Sequence, residues 1–403
     1  MKHRIVILGA GYAGASAVGR LAARLHPDDV EITLVNAEPD FVERIRMHQV
    51  AAGQELRRRA LADALAGTGV TLRVARVAAV DADARAVMLT GPDGASGADR
   101  LGYDTLVYAL GSSVARHGVP GVAEHAYDVA SRPGAIRLRD RLAALGRGGR
   151  VVVVGGGLTG IEAASEIAEA RPELDVALLV RGGLGDWLSP AGQRHLRATF
   201  SRLGVTVHER TAVTGVDGDE VTTDGGARVR SDVTVWTGGF VTHPIAAASS
   251  LTVGGDGRIV VDRTMRSLSH PDVYAVGDSA RAPGPRGTTL RMSCASGVPM
   301  GWQAADSIVA RLTGGRLPHM PLGYVQQCIS LGRRDGLIQF VTFDDRARSA
   351  AFGGRLAARY KELICRGAAL ALPASRTALP YPARRRRVGS QGTSVRPPVG
   401  VAG

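Results

Sequence analysis

Apolar positions along this chain follow two rhythms. Short, nearly unbroken runs (Arg4-Ile-Val-Ile-Leu8, Val30 to Val35, Val151 to Val154, Val176 to Val180) are too brief for helices and predict strands buried on both faces of a parallel sheet. Between the members of each pair, Ala15 to Leu25 and the segment starting at Ile161 repeat their apolar residues at helical spacing. Strand, helix and strand occur twice in this order, which predicts an α/β fold with two doubly wound, Rossmann-like domains. A further strand-like stretch, Leu72 to Ala78, includes Val77.

What joins each strand to its helix is glycine-rich. Gly9, Gly11 and Gly14 follow the first strand, with Ala13 before the last; Gly155, Gly157 and Gly160 follow the valine run, with Leu158 and Thr159 between them. In the spacing GxGxxG the three glycines give a tight turn, close backbone approach to a pyrophosphate, and close packing of helix on strand. The helix N-terminus then offers free N–H groups and the positive end of its dipole to the phosphates. Two complete units predict two dinucleotide sites. Lys2, His3 and Arg4 ahead of an apolar run have the outline of a secretory leader, but the glycine spacing accounts for that run better.

The residue ending the second strand of each unit contacts the adenosine ribose. In the first unit no acid stands there. Asn36 closes the strand and Glu38 follows two residues later, and either can bond ribose hydroxyls. In the second unit Arg181 occupies the position, where an arginine pairs with a 2′-phosphate and favours NADPH, or is simply one more surface arginine.

Composition changes this picture little. The chain has 403 residues, 45% hydrophobic and 22% charged, with sparse aromatics, which excludes a disordered or collagen-like chain and argues against base-stacking platforms. Its net charge of +13 does not signal nucleic acid: only Lys2 and Lys361 are lysines among 50 basic residues, and that skew, beside abundant Ala, Gly and Val, fits GC-rich coding better than selection for phosphate binding. Six arginines fall in the acid-free last 28 residues, and residues 376–403 are expected to be a disordered basic tail. Cys294, Cys328 and Cys365 are widely spaced, which suits a reducing cytoplasm and argues against disulfides, a dithiol centre or a metal site.

With these motifs the chain resembles the two-dinucleotide-binding flavoproteins, the family of pyridine nucleotide–disulfide reductases and type II NADH dehydrogenases. Tyr103 to Ser112, with Ala109 and Gly111, resembles the segment returning from the FAD domain; Val235 to Gly239, with Gly238, resembles its counterpart leaving the NAD(P)H domain. His270 to Asp278 resembles the segment whose Gly277 and Asp278 meet FAD, the aspartate on the ribityl chain. The resemblance implies FAD at the first glycine turn, NAD(P)H at the second, and the Val77 backbone against adenine. It also implies a split FAD domain (1–115 and 256–315), an inserted NAD(P)H domain (116–255) and a small α+β C-terminal region (316–375). Glu162 resembles the glutamate that faces nicotinamide and flavin in type II enzymes; otherwise it is a helix N-terminal acid held by the dipole. Arg44, Arg46 and His48 lie where relatives approach the flavin.

The acceptor is less legible. No cysteine lies near Phe41 to Gly53, so disulfide substrates are not expected, and no cysteine precedes residue 294, which removes the sulfide:quinone reading. The stretch Cys294 to Met300 stands where type II enzymes carry quinone-site glutamines, and it has none. Cys294 is expected near the flavin, as a packing residue more than a redox one. The expected function is hydride transfer from NAD(P)H to FAD, then electrons to a quinone or other small acceptor. The rivals are a reductase for a ferredoxin-like carrier, a biosynthetic tailoring enzyme and a low-turnover flavin-bearing sensor. A cytoplasmic protein is expected, at most peripheral on the inner membrane face through the basic helix Leu356 to Arg366, and compatible with a homodimer.

Overall fold

The computed structural model describes residues 1–91, 99–317, 321–369 and 385–389. Its first parallel sheet has five strands in the spatial order Val273–Ala275, Thr105–Tyr108, His3–Leu8, Val30–Asn36, Val70–Val74. The opening strand sits in the middle, with Ile7 opposite both Leu34 and Val107. The second sheet repeats the plan: Thr206–His208, Asp175–Leu179, Arg150–Val154, Val233–Trp236, Ala126–Tyr127, again all parallel. Burial on both faces explains the unbroken runs, since Ile5 to Leu8 and Val151 to Val153 are at most 1% exposed.

The strand-like stretch around Val77 is broken at Ala75, whose N–H donates to Asn36 O. Val70–Val74 completes the parallel sheet, while Arg76–Asp81, with half-buried Val77, opens an antiparallel meander with Ala86–Thr90 and Asp99–Gly102. The chain crosses to the second sheet and back through Ser112–Val114 paired with Phe240–Thr242. Trp236 Nε1 fastens this crossing by donating to Ala115 O at 2.8 Å. The return comes earlier than residue 255, because Ala246 and Leu251 pack in the first domain's core.

The third region is an antiparallel sheet, Gln326–Ser330, Gly336–Val341 and Ala347–Gly353, backed by helix Arg355–Ala369. Its middle strand starts at Gly336, after Gly332 (φ 82°) has turned the chain. Ile329, Leu331 and Leu337 bury in the second domain's core together with Met47 and Ala51 of the first domain's short helix Met47–Ala51. One core therefore knits three regions, each fully buried aliphatic chain contributing about 1.5–3 kcal/mol.

Most of the expected basic tail lies outside the described residues. Its residues 385–389 are placed on the first domain, against expectation. The Arg386 N–H donates to Arg24 O, the Arg386 carbonyl accepts from the His26 N–H, and Arg387 pairs with Asp28 and Asp29. A local acidic pair gives the arginine run a docking point that composition alone conceals.

Candidate functional site

The two glycine turns are built alike. A β-carbon on Gly14 would lie 1.9 Å from Gly9 O, and one on Gly160 would lie 1.9 Å from Gly155 O, so both helices touch their turns with no room for a side chain. Gly9 and Gly155 take left-handed φ of 97° and 124° and press on Ala109 O and Thr237 O. Gly11 and Gly157, by contrast, face open space, the cradle a pyrophosphate fills. Both begin 13-residue helices, Tyr12–Arg24 and Leu158–Ala170, with no capping side chain, so the terminal N–H groups remain for a ligand.

Around the first turn the predicted residues converge. Ala109 packs against Gly14, and Gly277 (φ 71°) lies against Ala13. The Asn36 amide braces the turn, its Oδ1 accepting from Ala10 N and its Nδ2 donating to Glu38 O, which leaves the Glu38 carboxylate at the strand end. Asp278 Oδ2 accepts from Ser112 Oγ at 2.6 Å and lies 3.5 Å from Arg44 Nη1, beside Gly111. Among the described residues nothing donates to Asp278 Oδ1. Arg44 sits 4.9 Å from the Phe240 ring centre, and its buried Nη2 is unpartnered, as are Tyr12 Oη, His48 Nε2 and Gln49 Oε1. Buried polar atoms without partners are costly, and of these Tyr12 directly follows Gly11 while Arg44 lies beside Asp278 and Gly111. That donor and acceptor set fits a large polar cofactor.

At the second turn, a β-carbon on Gly156 would touch Val180, so exposed Arg181 stands beside the cradle, with no acidic partner among the described residues. Gly238 O meets His117 Nε2 at 2.8 Å on the crossing strands. Glu162 is not in the helix's first turn, so the dipole reading falls. It is 8% exposed and anchored from the C-terminal region, its Oε1 lying 3.0 Å from Lys361 Nζ and accepting from Ser330 N at 3.0 Å. Oε2 faces His48 Nδ1 at 4.0 Å. Burial alone would push Glu162 up, but the Lys361 ammonium, helped by the Ser330 N–H, outweighs it and holds the carboxyl below its ordinary range. Burial likewise would pull Lys361 down, and Glu162 more than offsets it. His48, fully buried, falls to about 4 and is neutral at neutral pH.

Lys361 escaped the sequence reading, although a signal was present: it is one of two lysines in a chain with 50 basic residues. A compact ammonium reaches both Glu162 and Cys328 O (2.9 Å) in a space where a planar guanidinium has different needs. Neither did sequence spacing show that all three cysteines lie within electrostatic reach of this pair. Burial raises each thiol, Cys328 and Cys365 to about 11, so they are protonated. One turn beyond Glu162, Glu166 is buried; among the described residues Gln54 is its one hydrogen-bond partner and Oε2 has none, and burial lifts it to about 7.

Two open dinucleotide cradles, one beside an orphaned polar pocket and one beside a buried Glu–Lys pair, define a flavin- and nicotinamide-dependent oxidoreductase. The chain matches the pyridine nucleotide-disulphide oxidoreductase family over residues 3–307 and belongs to it. It is 30% identical to an NADH dehydrogenase-like protein of Mycobacterium tuberculosis, covering 82% of this chain and 86% of that one. It is 26% identical to a demethylphylloquinone reductase of Synechocystis, covering 84% and 86%. Among solved structures, the sulfide:quinone oxidoreductase of Aquifex aeolicus shares the fold with a TM-score of 0.77 at 18% identity, covering 93% of each chain. The protein is an FAD- and NAD(P)H-dependent enzyme of the NADH dehydrogenase-like kind. Among the described residues no helix is long and apolar enough to cross a membrane.

Proposed function

We propose that the chain is an NAD(P)H:quinone oxidoreductase, in which NAD(P)H, one proton and a quinone yield NAD(P)⁺ and the quinol. The observation that carries this reading is the buried Glu162–Lys361–His48 cluster, set where the second turn, helix Met47–Ala51 and the C-terminal region meet. The Synechocystis relative, whose name makes it a quinone reductase, supports it. Bound FAD supplies the hydride acceptor and the route for the electrons.

The protein's own groups bind, orient and handle the proton. Gly11 and Gly157 admit the two pyrophosphates, and Asp278 Oδ1 is free for a ribityl hydroxyl. Glu38 and Asn36 stand at the adenosine ribose of FAD, Val77 at its adenine, and Arg181 selects NADPH by its 2′-phosphate. Lys361 and Ser330 N–H hold Glu162 Oε1, so Oε2 is the oxygen that takes up or releases a proton, beside His48. Cys294, a protonated thiol at the start of helix Cys294–Thr313, packs near this centre. Helix Arg355–Ala369 buries Ala357, Cys365 and Ala369, but leaves Leu356, Leu363 and Ile364 exposed among arginines, which supports peripheral contact with anionic lipid.

Anaerobic stopped-flow mixing of the purified yellow protein with NADH and with NADPH tests the first half. Bleaching of the flavin band, faster with NADPH, is the expected result. Reoxidation of the bleached protein by a quinone tests the second half, and a reduced protein indifferent to every quinone tried rejects the acceptor.

A further inference from the structure

Between the hairpin turn 330–334 and helix Arg355–Ala369 lies a cavity of about 650 Å³, a size suited to a small molecule. Its inner end is formed by Gln49, Cys365 and Lys361, the last of which reaches Glu162, so cavity and nicotinamide turn share one wall. Toward solvent the lining is Arg333, Arg334, Arg355, Arg359 and Arg366, with Glu362 as the only acid among the described residues. That acid is already shared among Arg46 at 2.6 Å, Arg366 at 2.9 Å and Arg333 at 3.4 Å. Arg334, Arg355 and Arg359 have no acidic partner among the described residues. Six cations among thirteen lining residues exceed what even an arginine-rich chain places by chance.

We propose that this cavity selects an electron acceptor bearing an acid group, a carboxylated quinone in preference to a neutral one. The arginines hold the carboxylate at the mouth while the reducible ring lies toward Lys361. Guanidinium groups grip a carboxylate through paired N–H bonds, and a mouth of one charge sign steers anions inward. The step is the reaction above: the ring gains two electrons and two protons, one pair and one proton drawn from NAD(P)H and the other proton from solvent. The carboxylate is unchanged. The proposal rests on the quinone reading and narrows its substrate class.

The test compares one benzoquinone ring carrying a short chain that ends in a carboxylate or in its methyl ester. For the native holoenzyme at low salt, KM for the acid is expected about tenfold below that for the ester, with similar kcat, and the gap closes in high salt. In the triple variant Arg334→Gln/Arg355→Gln/Arg359→Gln the gap disappears, while flavin reduction by NAD(P)H keeps its native rate. Equal KM values in the native enzyme, or a preference that survives in the triple variant, overturn the proposal. Calorimetry with 2-naphthoate, which cannot be reduced, separates the two readings. If neither quinone reoxidises the enzyme, the quinone reading fails, and the cavity stands or falls on whether 2-naphthoate binds the native protein and not the variant. Arg359→Glu, a single exposed change, repeats the comparison should the triple variant fold poorly.

Discussion

At the fifth residue of each 13-residue helix the chain places a different kind of side chain: Ser16 in the first, Glu162 in the second. Ser16 Oγ donates back to Tyr12 O within its helix, and the facing helix Cys294–Thr313 packs so close that a β-carbon on Gly301 would sit 3.1 Å from Ser16 Cβ. Glu162 instead reaches out to Lys361 and Ser330. One turn later the contrast recurs. Arg20 pairs with Asp306 on the neighbouring helix, whereas Glu166 is a buried acid with an empty oxygen. Identical turns thus serve unlike ends. The first is sealed by small-residue packing into a holder, and the second is left with ionisable groups where chemistry needs them.

The sharpest way to break the comparison is to fill each turn. Gly14→Val should yield colourless protein without FAD, destabilised by at least about 2 kcal/mol, because the new side chain meets Gly9 O. Gly160→Val should stay yellow yet lose bleaching by NAD(P)H; flavin absorbance with and without nucleotide distinguishes the two. If both variants lose flavin, the division of labour is wrong. Next in size, Lys361→Met should cost about 3–5 kcal/mol in urea unfolding at neutral pH, since it strands a buried carboxylate. Glu162 depends on Lys361 to stay below its ordinary range, so its proton uptake in the variant should move to higher pH.

Glu166→Gln should act in the opposite direction. A carboxyl that keeps its proton to about 7 when folded and to 4.5 when free makes folding less favourable as pH rises between those values. The variant should therefore be more stable than the native chain at pH 8, by at most on the order of 3 kcal/mol, and indistinguishable from it near pH 4. A thermal melt at both pH values checks the sign. Smallest of the set, Arg181→Ala should raise KM for NADPH about tenfold, roughly 1.4 kcal/mol, and leave NADH nearly untouched.

Both strand–turn–helix units were legible because each depends on neighbours in sequence: an apolar run, three glycines, an apolar helix face. Lys361 was not, since it meets Glu162 only after the chain has folded back from a third region. Its rarity marked it as unusual without saying what it faced. Glu166 hid for a related reason, as its proton affinity comes from burial, which helical periodicity does not report for a glutamate inside an apolar stripe. The docking of Arg386 and Arg387 was masked by composition, because a basic stretch reads as solvated until the acids at 28 and 29 are seen opposite it. The break at Ala75 depends on Asn36 O, again a partner from elsewhere.

The anchoring of Glu162 has a consequence for biosynthesis. Translation runs from the N-terminus, so both glycine turns leave the ribosome well before Ser330 and Lys361 exist. A nascent chain can assemble its first sheet, yet its key carboxylate stays without a counter-charge until residue 361 has been added. Premature release before residue 361 would leave nucleotide-binding folds without a competent centre, and helix Arg355–Ala369 acts as the arming step.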